Sequence, residues 1–306
     1  MRAGVDVGAT NLRAAVAEGD TILGRADRPT PDESGRAVTN AVMELIQDAC
    51  ADASRSVAEI ERVGVASIGP LDRQRGCVVD PVNLPGVAEI ALVHPLSEFF
   101  ECAVFLCNDA TAGVLGERAA GAPANTVYLT ISTGIGAGVC VDGHVLSGWG
   151  GNAGEVGHFA LDPDGALECG CGGRGHWEAY CSGSGIPRYA RRLHDGEPTA
   201  LAIDESTTAA DVFACAREGD AFAERVVERV GDWNARGVAT VVHAYAPEVV
   251  SVGGAVALEN PERTLDPIRE RLPDLVVSRV PDVRLPRAGA DVVLSGALSL
   301  AARRGL

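Results

Sequence analysis

Thr126-Val127-Tyr128-Leu129-Thr130-Ile131-Ser132-Thr133-Gly134-Ile135-Gly136-Ala137-Gly138 begins as a strand and breaks into a glycine turn. Outward from that turn the chain runs through a second glycine cluster, Gly148, Gly150 and Gly151, to Glu155-Val156-Gly157-His158. It closes on Cys169-Gly170-Cys171-Gly172-Gly173-Arg174-Gly175-His176-Trp177-Glu178. A glycine turn beside carboxylates, imidazoles and thiols points to one region that handles phosphate, a polar substrate and a structural metal. The rest of the chain is read by what it adds to residues 126–178.

With 306 residues the chain exceeds the usual size of a single core, so two lobes are expected. Hydrophobic residues make up 46% but aromatics only 4%, which leaves Val, Ala, Leu and Ile to fill the core. That composition suits buried parallel strands covered by helices. The net charge of −16 argues against nucleic acid and anionic membranes as partners, because both repel an acidic surface. All 26 basic residues are arginine. The lack of lysine excludes a Walker lysine, a Schiff-base lysine and the strand lysine of protein kinases. An acidic, lysine-free surface also marks a salt-loving or GC-rich source; codon bias explains the arginine but less of the acidity. No segment has the apolar length of a membrane span, and MRAGVDVGAT at the start lacks the layout of a signal peptide. The nine cysteines are an odd number, and Cys50, Cys102, Cys107, Cys140 and Cys215 sit in apolar runs, which favours buried thiols in a reducing cytoplasm.

Residues 4–17 read as two strands around a turn at Gly8-Ala9-Thr10-Asn11, with a third short strand at 21–25. Helical spacing covers 36–51, a buried strand 62–68, a short helix 95–100, and a strand 104–107 that ends at Asn108-Asp109 and leads into a helix over 110–120. Open α/β sheets bind ligands at the carboxyl ends of their strands, so Asp109 is placed for chemistry. Helices are expected at 186–193, 209–218 and 222–246, strands at 249–252 and 283–285, and a closing helix at 292–304. A strand followed by a glycine turn recurs as VDVGAT, ISTGIG and SVGGAV. One such turn is ordinary. Three of them, with no Walker lysine, point to phosphates held by backbone N–H groups and hydroxyls from two facing lobes.

These residues resemble the ROK (repressor, open reading frame, kinase) sugar kinases of the actin-like ATPase superfamily, the glucokinase type above all. The resemblance rests on Asp6-Val7-Gly8-Ala9-Thr10-Asn11-Leu12-Arg13, Asn108-Asp109, Gly134-Ile135-Gly136-Ala137-Gly138, Glu155-Val156-Gly157-His158 and the Cys-x-Cys-Gly-x-x-Gly stretch. It implies a two-lobed actin-like (RNase-H-like) α/β fold with a cleft between the lobes. The small lobe would span 1–116, rejoined by a C-terminal helix within 291–306, and the large lobe 117–290. Repressor members carry a helix-turn-helix domain before the first phosphate motif, for which residues 1–5 leave no room.

The resemblance implies an ATP-dependent hexose kinase that makes glucose 6-phosphate. Asp109 would be the base and Asn108 would hold a neighbouring hydroxyl; a helix N-cap is the structural alternative for this pair. Glu155, His158 and Glu178 would bind sugar hydroxyls, with Ser67, Gly69 and Asn83 completing the pocket. Asp6, Gly8 and Thr10 would face the phosphates, Asp6 helping to position Mg²⁺; Thr133, Gly134 and Gly136 would meet them from the large lobe, and Gly253 and Gly254 would lie against the adenosine. Arg13 would bind phosphate or form a surface ion pair. His158, Cys169 and Cys171 match structural Zn²⁺ ligands, and His176 stands where relatives carry a cysteine, so a two-Cys, two-His site or a metal-free hairpin follows. The remaining histidines, His94, His144, His194 and His243, read as structural. A homodimer is implied as well. Other hexoses (fructose, mannose, N-acetylhexosamine), a non-catalytic sugar sensor, and an ATPase acting on protein partners are the rival readings.

Overall fold

The computed structural model describes residues 1–81, 84 and 86–306. The chain divides into two compact units, one comprising Met1–Ala122, Gly138–Ala153 and Asp291–Leu306, the other Pro123–Ala137 and Gly154–Ala290. In chain order the elements are β1 (Arg2–Val7), β2 (Asn11–Glu18), β3 (Thr21–Pro29), α1 (Gly35–Asp52), β4 (Arg62–Ser67), β5 (Leu71–Asp72), β6 (Cys77–Val79), β7 (Glu89–Ala91), α2 (Val93–Phe100), β8 (Ala103–Asn108) and α3 (Asp109–Ala119). There follow β9 (Thr126–Ile131), β10 (Ile135–Val141), β11 (His144–Val145), α4 (Glu178–Cys181), α5 (Gly185–Leu193), α6 (Ala209–Arg217) and α7 (Ala221–Tyr245). The chain closes with β12 (Val249–Gly253), α8 (Ala255–Glu259), α9 (Pro261–Leu275), β13 (Asp282–Arg284) and α10 (Val292–Arg303).

Two five-stranded sheets share one plan: their orders are β3-β2-β1-β4-β8 and β11-β10-β9-β12-β13. In the first, β2 and β3 run antiparallel to their neighbours while β1, β4 and β8 are parallel. In the second, β9, β12 and β13 are parallel. The recurrence of the glycine turn read from the sequence follows this repetition, since the turns come at the ends of β1, β9 and β12.

β1 and β4 are buried almost throughout, as expected for strands covered on both faces. α1 lays Val38, Val42, Leu45, Ile46 and Ala49 into the core of the first unit. α10 packs against α3, β1 and β4 in that unit. The approach is close enough that a Cβ on Gly64 would lie 2.0 Å from the Ala297 carbonyl oxygen, so only glycine fits there.

Several elements differ from the sequence expectation, among them β3, the strands β5 to β7, and α9. β3 runs on to Pro29, where an edge strand tolerates polar residues and Arg28 pairs with Glu44 and Asp48 of α1. β5, β6 and β7 form a small three-stranded sheet too short for a periodic signal. α9 is a helix despite Pro261, Pro267 and Pro273. Pro261 occupies the first turn, where its missing N–H is no loss. Pro267 would meet a Cβ on Gly231 at 2.7 Å, so packing of α9 on α7 overrides the backbone bond that proline removes.

Among the described residues, no helix is long and apolar enough to cross a membrane. All nine cysteines are unpaired.

Candidate active site

In the first unit the candidates gather at the carboxyl edge of the parallel strands. Val7, Ser67 and Asn108 are direct neighbours across β1, β4 and β8, so the loops that follow them emerge side by side. Asp6 faces Arg13 across β1 and β2, and the guanidinium donates to its carboxylate at 2.5 and 3.1 Å. Arg13 is thus an ion-pair partner of Asp6. Burial pushes the Asp6 pKa upward and the Arg13 charge pulls it back only in part. Gly8 donates its N–H to the Asn11 carbonyl at 3.1 Å and holds the hairpin turn, on which Thr10 is exposed.

Asn108 caps α3. Its Oδ1 accepts the Ala110 N–H at 2.9 Å, and Asp109 Oδ1 accepts the same N–H at 2.7 Å. Capping therefore accounts for one oxygen of each side chain. The Asn108 amide lies against Gly69, 3.7 Å from where a Cβ would stand. The Asp109 charge also bears on Cys107: burial first and that carboxylate second raise the thiol to about 12. Ser67 is fully buried and its hydroxyl has no partner among the described residues. Asn83 lies outside the described residues.

In the second unit, Glu178 opens α4 and reaches back to the glycine turn, where Oε2 accepts the Ile135 N–H at 2.8 Å. A Cβ on Gly134 would sit 2.5 Å from that oxygen, so a side chain there would push the Glu178 carboxylate off the turn. Glu155 stands 3.8 Å from His158 Nε2. Burial of its surroundings raises the Glu155 pKa, with His158 lowering it and Glu178 raising it. The side chain is still 55% exposed, so solvent screens most of that effect. Trp177, buried between these groups and α7, anchors the segment by donating from Nε1 to Asn234 Oδ1 at 2.9 Å.

His158, Cys169, Cys171 and His176 form a four-donor group whose ligand atoms all lie within 4.8 Å of one another. Cys169 Sγ is 3.7 Å from His158 Nδ1, and Cys171 Sγ is 3.3 Å from His176 Nδ1. A tetrahedral zinc with thiolate and imidazole ligands sets its donors about 3.3 to 3.8 Å apart, so the set fits such an ion. His158 keeps Nε2 toward Glu155 while Nδ1 turns inward, the division that lets a carboxylate orient a metal-binding imidazole. The chain is shaped for this by the bonds Cys169 N–H to Gly173 O at 2.7 Å and Gly172 N–H to Cys169 O at 2.9 Å. Burial raises the Cys169 thiol to about 12. The adjoining loop is held by Asp162, whose pKa burial would raise but which the Tyr180 hydroxyl and the N–H groups of Ala166, Asp164 and Gly165 bring below the usual range.

Gly253 pairs in register with Thr130, so the Gly253-Gly254 turn and the turn at Thr133 end adjacent parallel strands. Gly136 lies on β10 beyond that turn. Next to Thr133 the second unit holds a cavity of about 350 Å³ whose wall includes Ser184, Thr208, Phe213, Glu259 and Asn260. Sequence reading did not single out these residues. The run Ser182-Gly183-Ser184-Gly185 was the available signal: its backbone and hydroxyl bonds to Ser132 and Thr133 hold the turn in place.

Two sheets of identical strand order, with glycine turns and carboxylates at the ends of their parallel strands, define an α/β protein of the actin-like ATPase class. Within that class the ROK family model matches residues 2–304. The chain belongs to the ROK family. It is similar to the glucokinase of Pyrobaculum calidifontis, with 37% identity over 300 residues that cover 97% of this chain and 94% of the relative. Among solved structures it is similar to the ROK hexokinase from Thermus thermophilus, with 35% identity, a TM-score of 0.85 and coverage of 99% and 98%. It is also similar to a ROK family glucokinase from Streptomyces griseus in complex with glucose and AMPPNP, with 28% identity, a TM-score of 0.80 and 99% of each chain covered.

Proposed function

We propose that this chain is an ATP-dependent hexose kinase of the glucokinase type, which converts glucose to glucose 6-phosphate. The observation that carries the reading is the likeness, over 99% of both chains, to a glucokinase solved with glucose and a nucleotide analogue. Asp109, at the start of α3, takes the proton from the attacking sugar hydroxyl, and Asn108 holds a neighbouring hydroxyl through its amide. Glu155, His158 and Glu178 accept and donate hydrogen bonds to the remaining hydroxyls, and Gly69, Ser67 and Asn83 are assigned to sugar binding as well. Asp6, Gly8 and Thr10 serve the phosphate chain, as do Thr133, Gly134 and Gly136, while Gly253 and Gly254 adjoin the adenosine. Asp6 would position a Mg²⁺ ion, which when bound would supply positive charge to the phosphates.

The four-donor group is assigned to a structural Zn²⁺ held by His158, Cys169, Cys171 and His176, which fixes the segment that carries the sugar-binding residues. The division into a lobe of 1–116 with 291–306 and a lobe of 117–290, a homodimeric state, a cytoplasmic location and a role in glycolysis belong to the same proposal. A coupled assay over a panel of hexoses with ATP tests it. Glucose should be turned over fastest. Sugar-independent ATP hydrolysis, or no phosphorylated hexose at all, would overturn it.

A further inference from the structure

The cavity beside Thr133 carries a more specific reading, which rests on the kinase proposal above. Its wall runs from the polar Thr133 and Ser184 to an apolar stretch containing Phe213, and Glu259 is the one charged side chain on it. At about 350 Å³ it has the size of a site for a nucleoside, not of a long anionic chain. Glu259 ends α8, and its side chain makes no hydrogen bond or ion pair with any described residue. Its neighbour Asn260 is buried and fully committed: Oδ1 accepts from Arg217 at 2.7 Å and Nδ2 donates to the Val256 carbonyl at 3.1 Å. Arg217 is drawn to Asn260, and Arg263 is drawn to the Ala216 carbonyl at 3.0 Å. Both nearby guanidiniums are thus held by partners other than Glu259.

An ionised carboxylate offers two acceptor oxygens and no donor, so it is matched by a group that presents two donors side by side. The vicinal 2′,3′-diol of ribose is such a group, and carboxylates read it in other nucleotide folds. The same charge repels a bare phosphate chain. We propose that Glu259 is a donor-specificity residue: it accepts the ribose diol, and so selects a ribonucleoside triphosphate over both deoxyribonucleotides and inorganic polyphosphate. The phosphates then point toward the hydroxyls of Thr133 and Ser184 and the backbone of the glycine turn.

The test is the calorimetric affinity of the whole protein for ATP, 2′-deoxy-ATP, ITP and a short inorganic polyphosphate, with wild type, Glu259→Ala and Glu259→Gln. A hydrogen bond to a charged acceptor supports a difference of about tenfold or more. Wild type should bind ATP about tenfold more tightly than 2′-deoxy-ATP, and ITP should bind nearly as well as ATP. Glu259→Ala should weaken ATP about tenfold and erase the ribose preference, while Glu259→Gln, which keeps one acceptor, should lie between. Because Glu259 is exposed, both variants should melt with wild type. Retention of the ribose preference by Glu259→Ala, a loss that falls on the ATP-to-ITP ratio instead, or tighter binding of polyphosphate than of ATP would each overturn the assignment. The readout needs no sugar phosphorylation. Ribose-selective binding without hexose turnover would sink the kinase reading alone, and hexose turnover without ribose selectivity would sink only this one.

Discussion

Asp109 shares the Ala110 N–H with Asn108, so under the proposed base role the demands of a helix start and of proton transfer would coincide at this position. The substitution Asp109→Asn separates them, because asparagine caps as well as aspartate but accepts no proton. Turnover should fall by about a hundredfold to ten-thousandfold, with an unchanged melting temperature and retained glucose binding by calorimetry; near-normal kcat would remove Asp109 from the base role. Gly134 and Gly154 make a second contrast. A Cβ on Gly134 meets the mobile end of Glu178 at 2.5 Å, whereas one on Gly154 meets the Ala137 carbonyl oxygen at 1.9 Å in a backbone with φ of +93°. A side chain can swing away and a carbonyl in a strand cannot. Gly134→Ala should therefore raise the glucose KM with little change in stability, and Gly154→Ala should lose more than about 1 kcal/mol in denaturant melts. The reverse pattern would mean that Glu178 does not depend on the turn.

At the scale of elements, zinc bound as proposed by His158, Cys169, Cys171 and His176 would couple metal binding to protons. With the Cys169 thiol raised to about 12 by burial, a metal must displace its proton at neutral pH. Zinc affinity should weaken as pH falls, by about tenfold per pH unit for each proton displaced. In metal-free protein the sign is different: a thiol pKa raised in the folded state adds stability that is present below about 9 and is lost as pH rises through about 12. Titration with zinc in weakly buffered solution should release protons and raise the melting temperature, and His176→Ala should blunt both; correctly folded protein that takes up no zinc would refute the site. Much of this element was legible in the sequence, because Cys-x-Cys spacing and a following histidine are local signals. The cavity wall at Phe213, Glu259 and Asn260 was not, since Phe213 lies on α6 and the pair Glu259-Asn260 at the end of α8, and only the tertiary fold brings them together. α9 was hidden for a related reason: its prolines argue against a helix locally, and the packing of Pro267 on Gly231 is a long-range fact.

For the whole molecule, a net charge of −16 with arginine as the sole basic side chain means that self-repulsion opposes compaction at low ionic strength. Salt screens that repulsion, with a Debye length of about 10 Å at 0.1 M that shrinks to about 3 Å at 1 M. The melting temperature should rise from low to molar salt; a flat or falling curve would mean that the ion pairs along the surface, such as Arg28 with Glu44 and Asp48, outweigh the net charge. The first sheet was legible as strands, but the duplication of its strand order in the second was legible only as a weak echo of glycine turns.

The return of α10 onto β1 and β4 has a consequence for biosynthesis. The unit that contains residue 1 also contains residues 291–306, so its interior stays open while the ribosome translates everything between them. Folding from the N-terminal end as the polypeptide emerges, the usual course for multi-domain chains, is therefore barred to it, and the intervening unit should mature earlier. Nascent chains that end at Ala290 and continue in a linker long enough to clear the ribosome should show protease-resistant fragments from 123–137 and 154–290 but none from 1–122, and resistance in both would mean that the final helix is dispensable.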